Sequence, residues 1–193
     1  MQRTRHRTIC ITRGRGLTLI ELMITLVILS ISVLVVAPSM QTLLHDNRLQ
    51  TETGRLVAAI NLARSEAVIR NVPVSLCPSV TANSGVPACG GHYADGWIVF
   101  TNANRDRVVD PDADELIHAC PGIPVGYTLS NRAGTRAANQ LMTFLPDGST
   151  RQNSTLLLCP PLGASVEPWA VVLNMVGRAR VSRGEGPCPL AAL

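Results

Sequence analysis

The sequence predicts an α+β fold: one long, bent amino-terminal helix packed against an antiparallel β-sheet domain. Three observations predict it. Residues 22–37 read LMITLVILSISVLVVA, sixteen residues without a formal charge. Beyond them, Leu49, Leu56, Ile60, Ala63 and Ala67 recur at helical spacing. After Asn71 the pattern changes to short β-prone runs separated by Pro, Gly, Asn and Asp. With 193 residues there is room for one domain of ordinary size, which excludes a multi-domain enzyme.

The chain opens on a basic leader. There is no lysine, and of the 17 basic residues Arg3, Arg5, Arg7, Arg13 and Arg15 all precede residue 16. Without them 12 arginines face 13 acids, a net of −1, so the formal charge of +4 belongs to the leader. A basic site elsewhere must be argued from its own residues.

The apolar run, extended back to Leu17, is long enough at about 1.5 Å per residue to cross a hydrocarbon layer roughly 30 Å thick. The arginines before it predict a cytoplasmic amino terminus and an exported remainder. Glu21 is out of place, because a carboxylate in lipid is costly and needs a partner. A cleaved secretory signal accounts for the basic start, but not for Glu21 or for the missing small-x-small cleavage site. Pro38 bends the helix without ending it. The second half carries its apolar stripe on one side, with Arg48, Glu52, Arg55, Arg64, Glu66 and Arg70 on the remaining surface, Glu66 and Arg70 forming an i,i+4 pair.

Strands are predicted at residues 72–77, 97–101, 115–119, 125–129, 141–145, 155–159, 170–175 and 178–182, with Met175-Val176-Gly177-Arg178 as a hairpin corner. No second helical run is available to cover a parallel sheet, so the sheets are antiparallel and pack on the exported half of the helix. Trp97 and Phe100 are read as core residues.

The six cysteines form no Cys-x-x-Cys pair, which favours disulfides in an oxidising compartment over zinc or thioredoxin-like chemistry. Cys10 lies in the leader. Among the five that follow, several pairings are open. The expected arrangement joins Cys77 to Cys89, closing a short loop after a strand, and Cys159 to Cys188, fastening the carboxyl-terminal tail, with Cys120 unpaired.

Other sites are weighed and set aside. Asn102-Ala103-Asn104-Arg105-Asp106 begins like a calcium loop, but Arg107 stands where the turn needs Gly and Ala113 where the closing Glu belongs. His92 follows Cys89 by three, yet His45 and His118 lie far off without ligand spacing. No Gly-x-Ser-x-Gly elbow is present. The reading is of a chain with no metal, no cofactor and no enzyme activity. One local basic cluster remains: Arg178 and Arg180, two apart and so on one face of a strand, with Arg183 reaching them from the following turn and Arg151 joining if its strand lies nearby. It is either a solvated edge that resists sheet aggregation or a phosphate-binding patch. No aromatic platform accompanies it for base stacking.

Arg15-Gly16-Leu17-Thr18-Leu19-Ile20-Glu21-Leu22-Met23 resembles the processing site of the type IV pilin and type II secretion pseudopilin superfamily. The resemblance implies that prepilin peptidase cuts after Gly16 and methylates the new terminus at Leu17, where the family usually has Phe. It also implies that Glu21 pairs with the terminal amine of a neighbouring subunit, making two buried charges tolerable together. Residues 1–16 are then a leader, 17–38 a transmembrane and filament-core helix, and 39–193 the exported domain with the second half of the helix. Ala63-Arg64-Ser65-Glu66-Ala67-Val68, Asn71-Val72-Pro73-Val74, Gly96-Trp97-Ile98-Val99-Phe100, Glu115-Leu116-Ile117, Phe144-Leu145-Pro146-Asp147-Gly148 and Gly177-Arg178-Ala179-Arg180, in that order, resemble the GspH/FimT family of minor pilins and minor pseudopilins. This implies a type IV pilin-like fold and a single-pass inner-membrane protein with its globular domain in the periplasm, built into a pilus or pseudopilus. The partners it implies are other pilin or pseudopilin subunits, prepilin peptidase and the inner membrane. Gly177-Arg178-Ala179-Arg180 further resembles the Gly-Arg-x-Arg pattern of DNA-binding FimT-type minor pilins used in natural transformation, which implies that Arg178 and Arg180, with Arg183 added by proximity, contact double-stranded DNA. The alternative is a GspH-like minor pseudopilin contacting tip subunits or cargo of a type II secretion system.

Overall fold

The computed structural model describes residues 16, 18–82 and 84–189. The leader arginines, Cys10 and Leu17 lie outside the described residues. Elements follow in the order α1 (Leu19–Arg70), β1 (Val74–Pro78), β2 (Gly96–Thr101), β3 (Leu116–Pro121), β4 (Thr128–Asn131), β5 (Met142–Phe144), β6 (Ser154–Cys159), β7 (Trp169–Leu173) and β8 (Ala179–Arg183). Contacts divide the chain into two units, Met1–Met40 and Gln41–Leu193, and α1 contributes residues to both.

In the first unit α1 starts on Thr18, whose hydroxyl accepts the Glu21 N–H at 3.3 Å, the arrangement of a helix cap. The helix is long and apolar enough to cross a membrane, and its large apolar side chains from Leu19 to Leu34 are exposed. The hydroxyls of Thr25, Ser30 and Ser32 donate to the carbonyls of Leu22, Val27 and Ile28 within the same helix. The stretch therefore offers an apolar environment few unmet polar groups.

In the second unit two four-stranded antiparallel sheets, β3-β2-β1-β5 and β4-β6-β7-β8, share one core with the helix. Leu49, Leu56, Ile60, Ala63 and Ala67 are all buried in it. They meet Val74, Leu76, Trp97, Val99, Met142 and Phe144 from the first sheet and Leu129, Leu156, Leu158, Val171 and Leu173 from the second. The outer faces are covered too: Cys77, Ile98 and Phe100 form one small cluster, and Leu157, Cys159 and Ala170 another. Double-sided burial explains why β1, β2 and β6 read as continuous apolar runs instead of alternating ones. A disulfide straps each outer covering, Cys77–Cys89 on the first sheet and Cys159–Cys188 on the second, and Cys120 is free and buried.

Two expectations need correction. The fourth strand begins at Thr128 instead of Val125, because the Tyr127 N–H turns back to the Pro124 carbonyl at 3.2 Å and Gly126 takes φ 90°, leaving Val125 outside any ladder. Glu52, placed on the solvent surface by its charge, is buried on the stripe of Leu49 and Leu56, three residues after the first and four before the second. Arg55 makes this tolerable. Its guanidinium pairs with Glu52, donates to the Pro121 carbonyl at 2.8 Å and lies 5.2 Å from the Trp97 ring centre.

Candidate functional site

The arginine cluster is carried by β8, the edge strand of the second sheet. Its hairpin with β7 turns through residues 174–178: the Gly177 N–H donates to the Asn174 carbonyl, and the Asn174 N–H to the Arg178 carbonyl. Gly177 has φ 75°, and a Cβ there would stand 2.0 Å from the Gly148 carbonyl oxygen and 3.1 Å from Arg64 Nε. Arg64 in turn donates from Nε to that carbonyl at 3.0 Å, and the Thr150 N–H donates to the Met175 carbonyl at 2.9 Å. Three separate stretches of sequence, around Arg64, Gly148 and Gly177, thus meet at one close junction that only glycine admits. The junction holds the turn from which Arg178 projects.

Register sorts the arginines. Trp169 pairs with Arg183, Val172 with Arg180 and Leu173 with Ala179, so Ala179, Val181 and Arg183 share the helix-side face while Arg180 and Ser182 take the outer one. Arg178, two residues before Arg180, has the same parity as Arg180, and no acid pairs with it among the described residues. Arg180 reaches Glu185 at 3.1 Å, and the same carboxylate accepts from Ser182 at 3.0 Å and approaches Arg132 at 3.6 Å. The Ser182 hydroxyl, followed by the Arg180 guanidinium, holds the Glu185 carboxyl below its usual range.

Arg183 does not reach this group. It lies inside β8 instead of the following turn, and odd spacing from Arg180 sends it to the opposite face. There it pairs with Asp46 of α1 at 2.9 Å and stacks 4.4 Å from the Trp169 ring centre, while Trp169 Nε1 donates to the other Asp46 oxygen at 3.0 Å. Arg151 lies in the β5–β6 loop, one residue after Thr150. The exposed outer group therefore has Arg132 and Arg180 around one acid, Glu185, with Arg178 two residues from Arg180 and in no ion pair among the described residues. Arg132 and Glu185 escaped the sequence reading. Glu185 sits within reach of Arg180 along the chain and is findable in principle, whereas no local pattern points to Arg132.

The remaining chemistry is quiet. Asn104 Nδ2 donates to Asp106 and Asp110 at 3.0 Å each, and Asp114 accepts the Asp110 N–H at 3.0 Å, so the acidic loop closes on itself. Among the described residues no group of three His, Cys, Asp or Glu is placed to hold a metal ion. Burial pushes the Cys120 thiol up. At the amino terminus, Gly16 is exposed and Glu21 sits in the first turn of α1.

The family model for Type II transport protein GspH matches residues 52–177, more than half of the chain. The chain belongs to the GspH family. A second model, for the prokaryotic N-terminal methylation motif, matches residues 11–37. Among solved structures, this GspH-family chain is similar to the type IV minor pilin FimU of Pseudomonas aeruginosa, at 17% identity and TM-score 0.52, covering 76% of this chain and 96% of that one. The minor pseudopilin EpsH of the Vibrio cholerae type 2 secretion system is also similar, at 16% identity and TM-score 0.47, covering 70% of this chain and 97% of that one. The likeness to FimU establishes the type IV pilin-like fold. Comparison with curated protein sequences gives no match.

Proposed function

We propose that this protein is a minor pilin or pseudopilin, an assembly subunit held in the inner membrane by the first half of α1, with its sheet domain in the periplasm. The observation that carries the reading is a capped helix with Glu21 in its first turn and a long uncovered apolar surface beyond it, within a segment that matches the N-terminal methylation motif. Such a surface needs lipid or neighbouring helices. In this reading prepilin peptidase cuts after Gly16, Leu17 becomes the methylated terminus, and Glu21 accepts the terminal amine of the next subunit. Mass spectrometry of the membrane-extracted protein tests the processing: a chain beginning at methylated Leu17 is expected, and an intact leader in cells with working peptidase refutes it.

Arg178 and Arg180 favour a second activity, contact with the backbone of double-stranded DNA. Arg178 is exposed and has no acid partner among the described residues, and Arg180 shares Glu185 with Arg132. An arginine group on an exposed sheet edge suits regularly spaced phosphates. Arg183, committed to Asp46 and Trp169, is a clamp between strand and helix in this account. Replacing Arg178 and Arg180 with Ala should weaken binding to unrelated duplexes alike and remove roughly two units from the logarithmic salt slope. Unchanged binding would leave the subunit reading standing and point to the secretion-type role, in which the same face meets tip subunits or cargo.

A further inference from the structure

A second pair of arginines comes together in space from loops far apart in sequence. Arg105, between β2 and β3, and Arg151, between β5 and β6, line one cleft of about 210 Å³ beside β5, the edge strand of the first sheet. Thr143, Thr150 and Gln152 supply its polar lining and Leu141 an apolar wall. Neither guanidinium has an ion-pair or hydrogen-bond partner among the described residues. Thr150 is 3% exposed, and its hydroxyl has no partner either. That oxygen is itself buried, so the donors open to a ligand are the two guanidinium groups.

The acids nearby are turned elsewhere. Asp106 accepts from Asn104 and from the Val108 N–H at 2.8 Å, Asp147 accepts from the Ser149 N–H at 2.9 Å, and neither lines the cleft. Arg105 also occupies φ 63°, a left-handed conformation that Gly or Asn adopts at less cost. The turn alone therefore gives no reason for an arginine there.

We propose that this cleft binds a phosphate group, with the two guanidinium forks as donors. Paired forks match the spacing of oxygens on a tetrahedral oxyanion. The volume is below the roughly 300 Å³ at which pockets begin to hold drug-sized molecules, so the cleft takes one such group and not a whole nucleoside. The group is either free phosphate or one phosphodiester of a longer chain. Arg178 and Arg180 do not line this cleft, and the proposal does not depend on their role.

The test is amide NMR of the full chain in a non-ionic detergent, titrated with inorganic phosphate against chloride at matched ionic strength, and then with a short DNA duplex. Saturable phosphate-specific shifts are expected at Thr143, Thr150, Arg151 and Gln152. The pair Arg105→Asn and Arg151→Gln should weaken that binding by about tenfold or more, with the remaining spectrum unchanged. Asn suits the left-handed position, so the variant keeps its fold. Shifts with both titrants place the cleft on a nucleic-acid backbone, and shifts with phosphate alone make it a small-anion site; either result supports the proposal. No saturable phosphate shift, or shifts that survive in the double variant, overturns it.

Discussion

Gly177→Ala tests the junction that positions Arg178. Two costs add. An L-residue at φ 75° costs about 1–2 kcal/mol. The new Cβ would also stand 2.0 Å from the Gly148 carbonyl oxygen, a backbone atom that cannot rotate away. The β5–β6 loop must withdraw, giving up the Arg64 Nε bond to Gly148 and the Thr150 bond to Met175, about 1 kcal/mol each. The sum is about 3–4 kcal/mol, which at this chain length lowers the melting temperature by about 10 °C. Gly163 supplies the control, with φ 86° and nothing within 4 Å of an added Cβ. Gly163→Ala carries only the backbone cost and should lower melting by about 3–5 °C. The assay is thermal unfolding of the oxidised full chain in detergent, followed by near-ultraviolet circular dichroism. Equal shifts for the two variants would refute the close approach as the reason for Gly177.

Asp46→Ala should cost about 1–2 kcal/mol in urea unfolding and shift Trp169 fluorescence to the red, since the indole N–H and Arg183 both lose their acceptor. Opening the Cys77–Cys89 link by replacing both with Ser should cost about 3 kcal/mol for its separation of 12 residues, and opening Cys159–Cys188, separation 29, about 3.5 kcal/mol; equal stability with and without reductant contradicts both. Glu185→Gln should strengthen duplex binding at neutral pH, because it releases Arg180 and Arg132. The pH dependence follows the sign of the lowered Glu185 carboxyl: its contribution to stability is full above the ordinary carboxylate value and is lost as pH falls through the lower folded one. Over that window wild-type binding should rise toward that of Glu185→Gln, as a duplex titration at falling pH will show.

What was legible in the sequence depends on range. The stripe from Leu49 to Ala67 and the order of eight strands are local patterns, and the buried residues of α1 fall where helical spacing puts them. The division of those strands into two sheets is not local: β5 leaves its sequence neighbours to pair with β1, and only the tertiary fold decides that. The same limit explains Glu52, a charge that spacing places inside and composition places outside. Arg183 was misplaced by a strand boundary: extending β8 by one residue moved it from a turn to the opposite face of the strand. The cleft between Arg105 and Arg151 has no sequence signature, since its halves lie in loops on different strands.

In the proposed function, α1 assembles this chain into a filament through Glu21. The direct measurement is the amount of the chain in sheared or pulled-down filaments from cells carrying either wild-type protein or Glu21→Ala, normalised to the membrane pool, with both disulfides checked by non-reducing electrophoresis. Wild-type chain is expected in the filament fraction, and a correctly disulfide-bonded Glu21→Ala chain is expected to stay in the membrane. Equal incorporation of the two, or absence of the wild-type chain from the filaments, would contradict this expectation.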